Sequence, residues 1–175
     1  MIQLVFAHSG SAFGAADGMP WPHISQDFKN FKARTKDTVL VMGAKTFASL
    51  PCKLPGRQHI VLYNPERSVP CAKNGDQPDC WFNLSAMDEC LKTMAEDMDN
   101  MFSVIGGKEL LAHALPYALK VFKTTIVAPL DKPVTQTLDV EFFDAIDKMV
   151  YVNNAVYRDG LMSIIEGEYR HLNYA

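Results

Sequence analysis

The sequence lacks an excess of charge of either sign and also lacks a long hydrophobic run. Its 17 lysines and arginines are offset by 20 aspartates and glutamates, giving a formal net charge of −3 at pH 7. Nucleic-acid-binding domains usually carry a basic surface, so this balance argues against that class. No window reaches the ~18 apolar residues of a membrane span, and the N-terminus lacks the basic leader and apolar core of a signal peptide. We therefore expect a cytoplasmic protein without nucleic-acid or membrane partners.

Recognisable cysteine and glycine motifs are also missing. The four cysteines form no Cys-x-x-Cys pair, and no histidine completes a zinc-like spacing, so we expect reduced thiols and no metal site. The Gly-x-Gly-x-x-Gly fingerprint and the P-loop are both absent. This excludes a standard Rossmann or nucleotide triphosphatase assignment.

The chain has 175 residues, of which 48% are hydrophobic, and this is enough for a single domain over residues 1–175. Short apolar runs alternate with helical patterns, which is typical of an α/β protein with a mixed, mostly parallel central sheet of about eight strands and about four flanking helices. The predicted strands are residues 2–7, 38–42, 58–63, 101–105, 119–127, 149–153 and 161–168, with the last two as an antiparallel hairpin. The predicted helices are residues 25–35 and 44–50, one that begins at Ser85, and one that ends at Ala114.

Asp27 is a carboxylate in aromatic and apolar surroundings, since no other acid lies between Asp17 and Asp27. Ser25 is a candidate helix N-cap, which places Asp27 in the first turn, where the helix dipole favours a negative charge. Phe31 then shares its face, and Phe28 lies beside it. A carboxylate against an apolar wall loses hydration, so its pKa should rise toward that of a general acid. The alternative is that Asp27 only supports the helix cap.

Two strand-to-loop junctions within the first 50 residues have unusual sequences, and ligands bind near such junctions in open α/β sheets. Residues 13–21 place small residues between two glycines and end in Pro20-Trp21, as in a lid that closes over a ligand. An ordinary surface loop is the alternative. In residues 41–47 a strand ends at Gly43 and a helix begins, so exposed N–H groups there can bind phosphate. Many strand–helix turns look alike, however, and this signal is weak alone.

Two further junctions follow. Residues 54–57 (Leu-Pro-Gly-Arg) form a tight turn, after which Arg57 can offer a planar fork to a carboxylate. A solvated arginine is the alternative. Gly106 and Gly107 follow a buried strand. Because glycine has no Cβ atom, a ligand such as a pyrophosphate can contact the main chain there. The alternative there is a tight helix–strand packing turn.

Taken together and in order, these motifs resemble dihydrofolate reductase over nearly the whole chain. The pieces are Met19-Pro20-Trp21, then Asp27 with Phe31, then Val41-Met42-Gly43 with Thr46, then Leu54-Pro55-Gly56-Arg57, and finally Val104-Ile105-Gly106-Gly107. Five ordered motifs with fitting spacing are far more specific than any one of them.

The resemblance implies roles for particular residues. Asp27, Thr124 and Trp21 are the expected catalytic residues, with Asp27 holding the 2-amino and N3 groups of the pteridine and Thr124 hydrogen-bonding this acid. The expected substrate-binding residues are Val5, Phe6, Ala7, Asp27, Phe28, Phe31, Lys32, Leu50, Leu54, Arg57, Ile105 and Thr124. The expected cofactor-binding residues are Ala7, Phe13, Gly18, Met19, Gly43, Ala44, Lys45, Thr46, Leu62, Tyr63, Asn64, Ile105, Gly106, Gly107, Lys108, Glu109 and Leu110.

The reaction implied by the resemblance is the NADPH-dependent reduction of 7,8-dihydrofolate to 5,6,7,8-tetrahydrofolate. Hydride passes to C6 of the pterin and a proton is added at N5, either from Asp27 itself or through water. The cofactor carries the reducing chemistry, so one ionisable side chain is enough. The resemblance also implies antifolate-like ligands, a role in nucleotide biosynthesis, and a monomer or weak homodimer.

Several positions depart from the family's commoner pattern, mostly on the expected cofactor side. Ala44 replaces a basic residue, Leu111 an aromatic one, and Tyr63-Asn64 stand where serine is usual. The choice between NADPH and NADH therefore stays open at this point, while reduction itself does not depend on these positions. Two rivals keep the same fold: a folate-binding or structural protein with little turnover, and a related pyrimidine reductase acting on a ribityl- or ribosyl-substituted diaminopyrimidine.

Overall fold

The computed structural model describes residues 1–174, which form ten strands and five α-helices. The strands are β1 (Ile2–His8), β2 (Ala12–Ala15), β3 (Val39–Gly43), β4 (His59–Tyr63), β5 (Cys80–Asn83), β6 (Phe102–Gly106), β7 (Ala118–Val127), β8 (Val134–Thr137), β9 (Val150–Asp159) and β10 (Met162–Arg170). The helices are α1 (Ser25–Arg34), α2 (Ala44–Ser49), α3 (Met87–Glu96), α4 (Lys108–Ala114) and α5 (Val140–Asp147).

Eight of these strands belong to one sheet with the order β5-β4-β3-β6-β1-β7-β10-β9, while β2 and β8 form a separate two-stranded sheet. The strand β3 pairs in parallel with β4 and β6, and β4 pairs in parallel with β5. The C-terminal strands β9 and β10 form an antiparallel hairpin. The predicted mixed, mostly parallel sheet and its terminal hairpin are confirmed, with five α-helices where about four were expected.

The chain divides into two compact units. The first, residues 1–3 and 35–118, holds the parallel strands and helices α2, α3 and α4. Its central strand β3 has the sequence Val-Leu-Val-Met-Gly, and Leu40, Val41 and Met42 are completely buried. A run that is apolar on both faces is what a strand covered on both sides requires. The single-domain extent of the chain stays a prediction.

The second unit, residues 4–34 and those from Leu119 onward, holds α1, α5 and the antiparallel strands. Here β10 pairs with β7 along eight residues, with Glu166 opposite Thr124. A buried cluster of Trp21, Ile24, Ile126 and Ile164 packs beneath the start of α1. This packing fixes where the first turn of α1, and thus Asp27, lies.

The structure also contains elements that the sequence analysis did not predict, namely β2, β5, β8 and α5. The three strands are only four residues long, and β5 is exposed throughout, so they lack the alternation that identifies a strand. Helix α5 did carry a signal, because its buried residues Phe142 and Ile146 are four apart. Among the described residues no helix is long and apolar enough to cross a membrane.

Candidate active site

Asp27 lies in the first turn of α1, as predicted, although the helix begins one residue earlier than the cap assignment implies. Ser25 is itself the first helical residue, and the carbonyl of Ile24 accepts the amide hydrogens of Asp27 at 3.1 Å and Phe28 at 3.4 Å. The N-cap is therefore Ile24, and Ser25 is not the cap. An apolar residue takes this place because Ile24 is buried with Trp21, which secures the helix start by packing.

The Asp27 carboxyl is partly buried, and this raises its pKa from 3.8 to about 6. Loss of hydration is the main cause, the negative charge of Glu166 raises the pKa further, and the nearby His23 opposes both. An acid with a pKa near the working pH can both hold and release a proton. The expected rise in this pKa is therefore present in the structure.

Glu166 is a second acid in the same unit, and no sequence pattern pointed to it. Its side chain is only 4% exposed and receives hydrogen bonds from Arg34, through Nε at 2.9 Å and through Nη2. The Arg34 guanidinium also lies 4.6 Å from the centre of the Phe122 ring. Arg34 and Glu166 are 132 positions apart, so no local pattern could have paired them. The ion pair holds a buried negative charge where it acts on Asp27.

We predict that Glu166→Gln lowers the pKa of Asp27 by a few tenths of a unit to about one unit. Glutamine keeps a hydrogen-bond acceptor for Arg34 but removes the charge that repels the ionised Asp27. The measurement is a carbon NMR titration of the Asp27 carboxyl in the free protein, which does not depend on activity. Glu168→Gln is the matched control, because Glu168 pairs with Arg170 and does not act on Asp27. An unchanged Asp27 titration in Glu166→Gln would contradict the coupling.

Three of the predicted residues come together beside α1. Ala7 and Met19 pack against the cluster that contains Trp21. The Trp21 side chain is 3% exposed, and its indole Nε1–H has no hydrogen-bond partner among residues 1–174. Thr124, also predicted, is buried in β7 opposite Glu166. The predicted hydrogen bond between Thr124 and Asp27 stays a prediction.

The predicted lid, residues 13–21, is hydrogen-bonded to a distant segment of the chain around Asp131 and Lys132. The carbonyl of Pro20 accepts the amide hydrogens of Asp131 at 2.9 Å and Lys132 at 3.1 Å, and the Lys132 ammonium donates to the carbonyl of Asp17 at 3.1 Å. Strand β2, at the base of the lid, pairs with β8. The sequence carries no signal for these bonds, because most of them use backbone atoms.

Arg57 belongs to the first unit, and hydrogen bonds hold its guanidinium in place. Its Nε donates to the carbonyl and to the hydroxyl of Thr35, both at 3.1 Å, and its Nη1 donates to the carbonyl of Pro55 at 2.9 Å. Arg57 is partly buried, whereas Thr35 is completely buried. These bonds orient the planar fork, which is the condition for bidentate carboxylate binding. A freely solvated arginine does not describe this side chain.

The two glycine motifs meet at the ends of the parallel strands β3 and β6. A Cβ added to Gly43 would lie 3.8 Å from the amide nitrogen of Gly107, and one added to Gly107 would lie 3.8 Å from the hydroxyl of Thr46. Gly106 has a φ of +148°, which only glycine adopts readily, and its bond to Gly107 is cis. Gly43, Gly107 and the Thr46 hydroxyl thus lie close together with no Cβ between the two glycines, and we call this group, with Gly106, the cradle. The predicted contact of a ligand with its main chain stays a prediction.

Ile105 lies at an irregularity beside this cradle. The register between β3 and β6 passes from Val41 opposite Val104 directly to Met42 opposite Gly106. Ile105 is therefore left without an opposite residue on β3, as in a β-bulge, which turns a side chain away from the regular alternation. Periodicity along the sequence could not reveal this, since it assumes regular pairing.

The remaining predicted residues differ in exposure. Val5, Phe6, Leu62, Tyr63, Leu110 and the main chain at Gly106 are buried. Partly buried positions are Phe13, Phe31, Ala44, Leu50, Leu54, Asn64 and Lys108. Exposed positions are Gly18, Phe28, Lys32, Lys45 and Glu109. Phe28 stacks on His23 with ring centres 4.6 Å apart, so part of its ring is covered within its own segment.

Comparison with known proteins decides the family. A family model described as dihydrofolate reductase matches residues 1–155. The chain belongs to the dihydrofolate reductase family. Among curated relatives, dihydrofolate reductase type 9 from Escherichia coli is 34% identical over 125 residues, covering 70% of this chain and 68% of the relative. The dihydrofolate reductase of Neisseria meningitidis serogroup B is 32% identical over 139 residues, covering 77% and 73%.

A solved structure supports the fold of this dihydrofolate reductase family member. The chain matches dihydrofolate reductase from Enterococcus faecalis, complexed with NADP(H) and RAB-propyl, with a TM-score of 0.76. The match covers 97% of this chain and 96% of that one at 20% identity, so it bears on the fold alone. The predicted family, its fold and the enzyme class are confirmed, while the roles of individual residues stay predictions.

Proposed function

We propose that the protein reduces 7,8-dihydrofolate to 5,6,7,8-tetrahydrofolate with NADPH, and that Asp27 governs the protonation of the pterin at N5. The observation that carries this proposal is the partly buried Asp27 carboxyl with its pKa raised to about 6. Family membership supplies the reaction class. The residues of this chain then account for proton supply, substrate orientation and cofactor contact.

Asp27 holds the amino-pyrimidine edge of the pterin through its carboxylate oxygens in this proposal. A carboxylate accepts two parallel hydrogen bonds from the 2-amino group and N3, which orients the ring. Because its pKa is about 6, Asp27 is mainly ionised near neutral pH and can accept these two bonds, while a minor fraction carries a proton. Asp27 therefore favours the N5-protonated imine, to which hydride addition is much easier. The Trp21 Nε1–H is a buried donor without a partner among residues 1–174, and a bound substrate can supply the acceptor that it lacks.

Arg57 binds the glutamate α-carboxylate of the substrate in this proposal. The bonds from its Nε and Nη1 to Thr35 and Pro55 fix the guanidinium plane before the substrate arrives. Little side-chain entropy is then lost on binding, which increases affinity. Leu50 and Leu54, which belong to the same unit as Arg57, supply apolar contacts for the aminobenzoyl ring.

The cradle of Gly43, Thr46, Gly106 and Gly107 fits the main-chain contact that a dinucleotide pyrophosphate makes. A side chain at either Gly43 or Gly107 would project into the space between the motifs. The Thr46 hydroxyl and the first amides of α2 and α4 are suitable donors for phosphate oxygens, and neither helix has a side-chain cap at its start. When bound there, NADPH supplies the hydride for C6 of the pterin. Lys45 and Lys108 add charge for its phosphates.

Gly43→Ala tests the cradle without disturbing the fold. Gly43 has φ −81° and ψ 168°, which alanine adopts freely, and the nearest atom to the new Cβ is 3.8 Å away. We expect unchanged thermal stability and a roughly tenfold or greater loss of NADPH affinity, or about 1.4 kcal/mol. Isothermal titration calorimetry with NADPH in the absence of folate measures this loss. Full affinity in a normally folded variant would remove Gly43 from the cofactor site.

The reaction itself is tested by mixing the protein with NADPH and 7,8-dihydrofolate and following the near-ultraviolet absorbance of the cofactor. We expect the absorbance to fall at a rate proportional to enzyme concentration, with tetrahydrofolate as the product. No fall beyond a protein-free blank would favour a folate-binding protein without turnover. Turnover only with a ribityl- or ribosyl-substituted diaminopyrimidine would favour the pyrimidine reductase instead.

A further inference from the structure

His59, the first residue of β4, is completely buried beside the turn that carries Arg57. Its imidazole contacts both ends of this turn. The Leu54 amide donates to Nε2 at 3.0 Å, and Nδ1 lies 3.0 Å from the carbonyl of Arg57. The ring also makes an edge contact with Phe47, with ring centres 6.1 Å apart. One side chain therefore closes the Leu54–Arg57 turn from inside.

These two contacts determine the protonation of the ring. Because Nε2 accepts a hydrogen bond from the Leu54 amide, it carries no proton. The single proton of the neutral ring is then on Nδ1, which donates it to the carbonyl of Arg57. A doubly protonated imidazole would place an N–H against the Leu54 N–H. Only the neutral imidazole can hold both ends of the turn.

Charged residues around His59 fix its backbone and extend the network. The Asp79 carboxylate accepts the His59 amide at 2.8 Å and the Lys53 ammonium at 2.8 Å. The Asp76 carboxylate accepts the Lys53 amide at 3.0 Å. One oxygen of Asp79 lies 3.5 Å from Nδ1 of His59. The backbone of His59 is therefore fixed by Asp79, while its ring is bonded to both ends of the Leu54–Arg57 turn.

We propose that His59 is a positioning residue for Arg57, and that its neutral imidazole sets the affinity for the carboxylate tail of the substrate. The proposal rests on the proposed function of Arg57. The carbonyl of Arg57 is held by His59, and its side chain is held by Thr35 and by the carbonyl of Pro55 within the same turn. Loosening the turn therefore moves the backbone of Arg57 and the Pro55 carbonyl, which is one of the anchors that orient the guanidinium. Chemistry at the pterin does not involve this residue.

The titration of His59 agrees with this geometry. Burial lowers its pKa below the ordinary 6.5, and the charge of Lys53 lowers it further. The bond to the Arg57 carbonyl and the charge of Asp79 oppose this without reversing it, and Asp76 is the other acid that acts on the ring. Near neutral pH the ring is therefore neutral. Acidification protonates it and opens the turn.

The test is His59→Phe, which keeps an aromatic ring against Phe47 and removes both nitrogen atoms. Steady-state kinetics are measured with 7,8-dihydrofolate and with a dihydropterin that lacks the aminobenzoyl-glutamate tail. We expect KM for dihydrofolate to rise about tenfold, as for a loosened charge-assisted contact, with kcat nearly unchanged. KM for the tail-less pterin should not change. His113→Phe is the matched control, since His113 is exposed on α4 and pairs only with Asp88 among its described contacts.

Equal changes in KM for both substrates would overturn the positioning role and indicate a general structural one. His59→Gln should recover most of the lost affinity, because an amide can donate to the Arg57 carbonyl and accept from the Leu54 amide. Failure of the wild-type protein to reduce either substrate would instead overturn the proposed function. These two failures are thus distinguishable.

If His59→Phe does not fold, a measurement on the wild-type protein still tests the positioning role of His59. The ratio of KM for dihydrofolate to KM for the tail-less pterin cancels effects of pH on Asp27 and on the pterin. We expect this ratio to rise as the pH falls below 6.5, the ordinary pKa of histidine. A flat ratio down to the pH at which the protein unfolds would overturn the proposal.

Discussion

Asp27→Asn should lower kcat/KM for dihydrofolate by about two to four powers of ten at neutral pH, the usual contribution of a positioned acid. Asparagine can still hydrogen-bond the amino-pyrimidine edge, but it can neither hold nor release the proton that N5 needs. At low pH, solvent protonates the substrate directly, so part of the rate should return. The measurement is a pH profile of kcat/KM for wild type and variant. A wild-type rate at neutral pH would overturn the role assigned to Asp27.

The same variant should be more stable than the wild type above about pH 6. The pKa of Asp27 is raised in the folded protein, from 3.8 to about 6, so ionisation favours the unfolded chain. The favourable contribution of the protonated acid is complete below pH 3.8 and is lost as the pH rises through about 6. With allowance for partial exposure, the gain is about 1–2 kcal/mol at neutral pH. Urea unfolding measures it, and Asp144→Asn, an exposed aspartate of α5, is the control.

Arg57→Leu should weaken dihydrofolate binding by about 2–5 kcal/mol, the usual cost of removing one partner of a desolvated charge pair. The tail carboxylate would then face an apolar side chain, and no other group in the Leu54–Arg57 turn can replace the planar fork. Equilibrium titration with dihydrofolate, followed by protein fluorescence, gives the dissociation constant directly.

Two comparisons make the Arg57 result specific. A dihydropterin without the glutamate tail should bind Arg57→Leu and wild type equally well, because only the tail contact is lost. Arg67→Leu removes an exposed arginine from the same unit and should bind dihydrofolate normally. An unchanged dissociation constant for dihydrofolate in Arg57→Leu would refute the assigned contact.

Much of the site chemistry could be predicted from short stretches of sequence. The rise in the pKa of Asp27 follows from its apolar neighbours. Gly43 and the Gly106-Gly107 pair indicate contact between a ligand and the main chain, because glycine has no side chain to prevent it. Arg57 stands after a Pro-Gly turn, and the oriented guanidinium agrees with that position. In each case the pattern that indicates the chemistry spans only a few residues, although the groups that complete it, such as Thr35 beside Arg57 and Gly107 beside Gly43, come from further along the chain.

Other parts of the site depend on residues far apart in the chain. The Arg34–Glu166 pair, the Pro20 carbonyl that accepts from Asp131, and strand β2 against β8 all join distant segments. Hydrophobic periodicity predicts that a strand exists, but it does not choose the partner or the register. The register shift at Ile105 shows the same limit, because it arises between the two paired strands β3 and β6.

By itself, the sequence determined the α/β class, the order of the motifs and the residue types available for acid, carboxylate and phosphate contacts. These depend on composition and on periodicity within single elements. Only the tertiary structure decided that a second buried acid acts on Asp27 and that His59 closes the turn of Arg57. Charge interactions and hydrogen bonds act over a few ångströms in space, and the folded backbone alone determines which residues come that close.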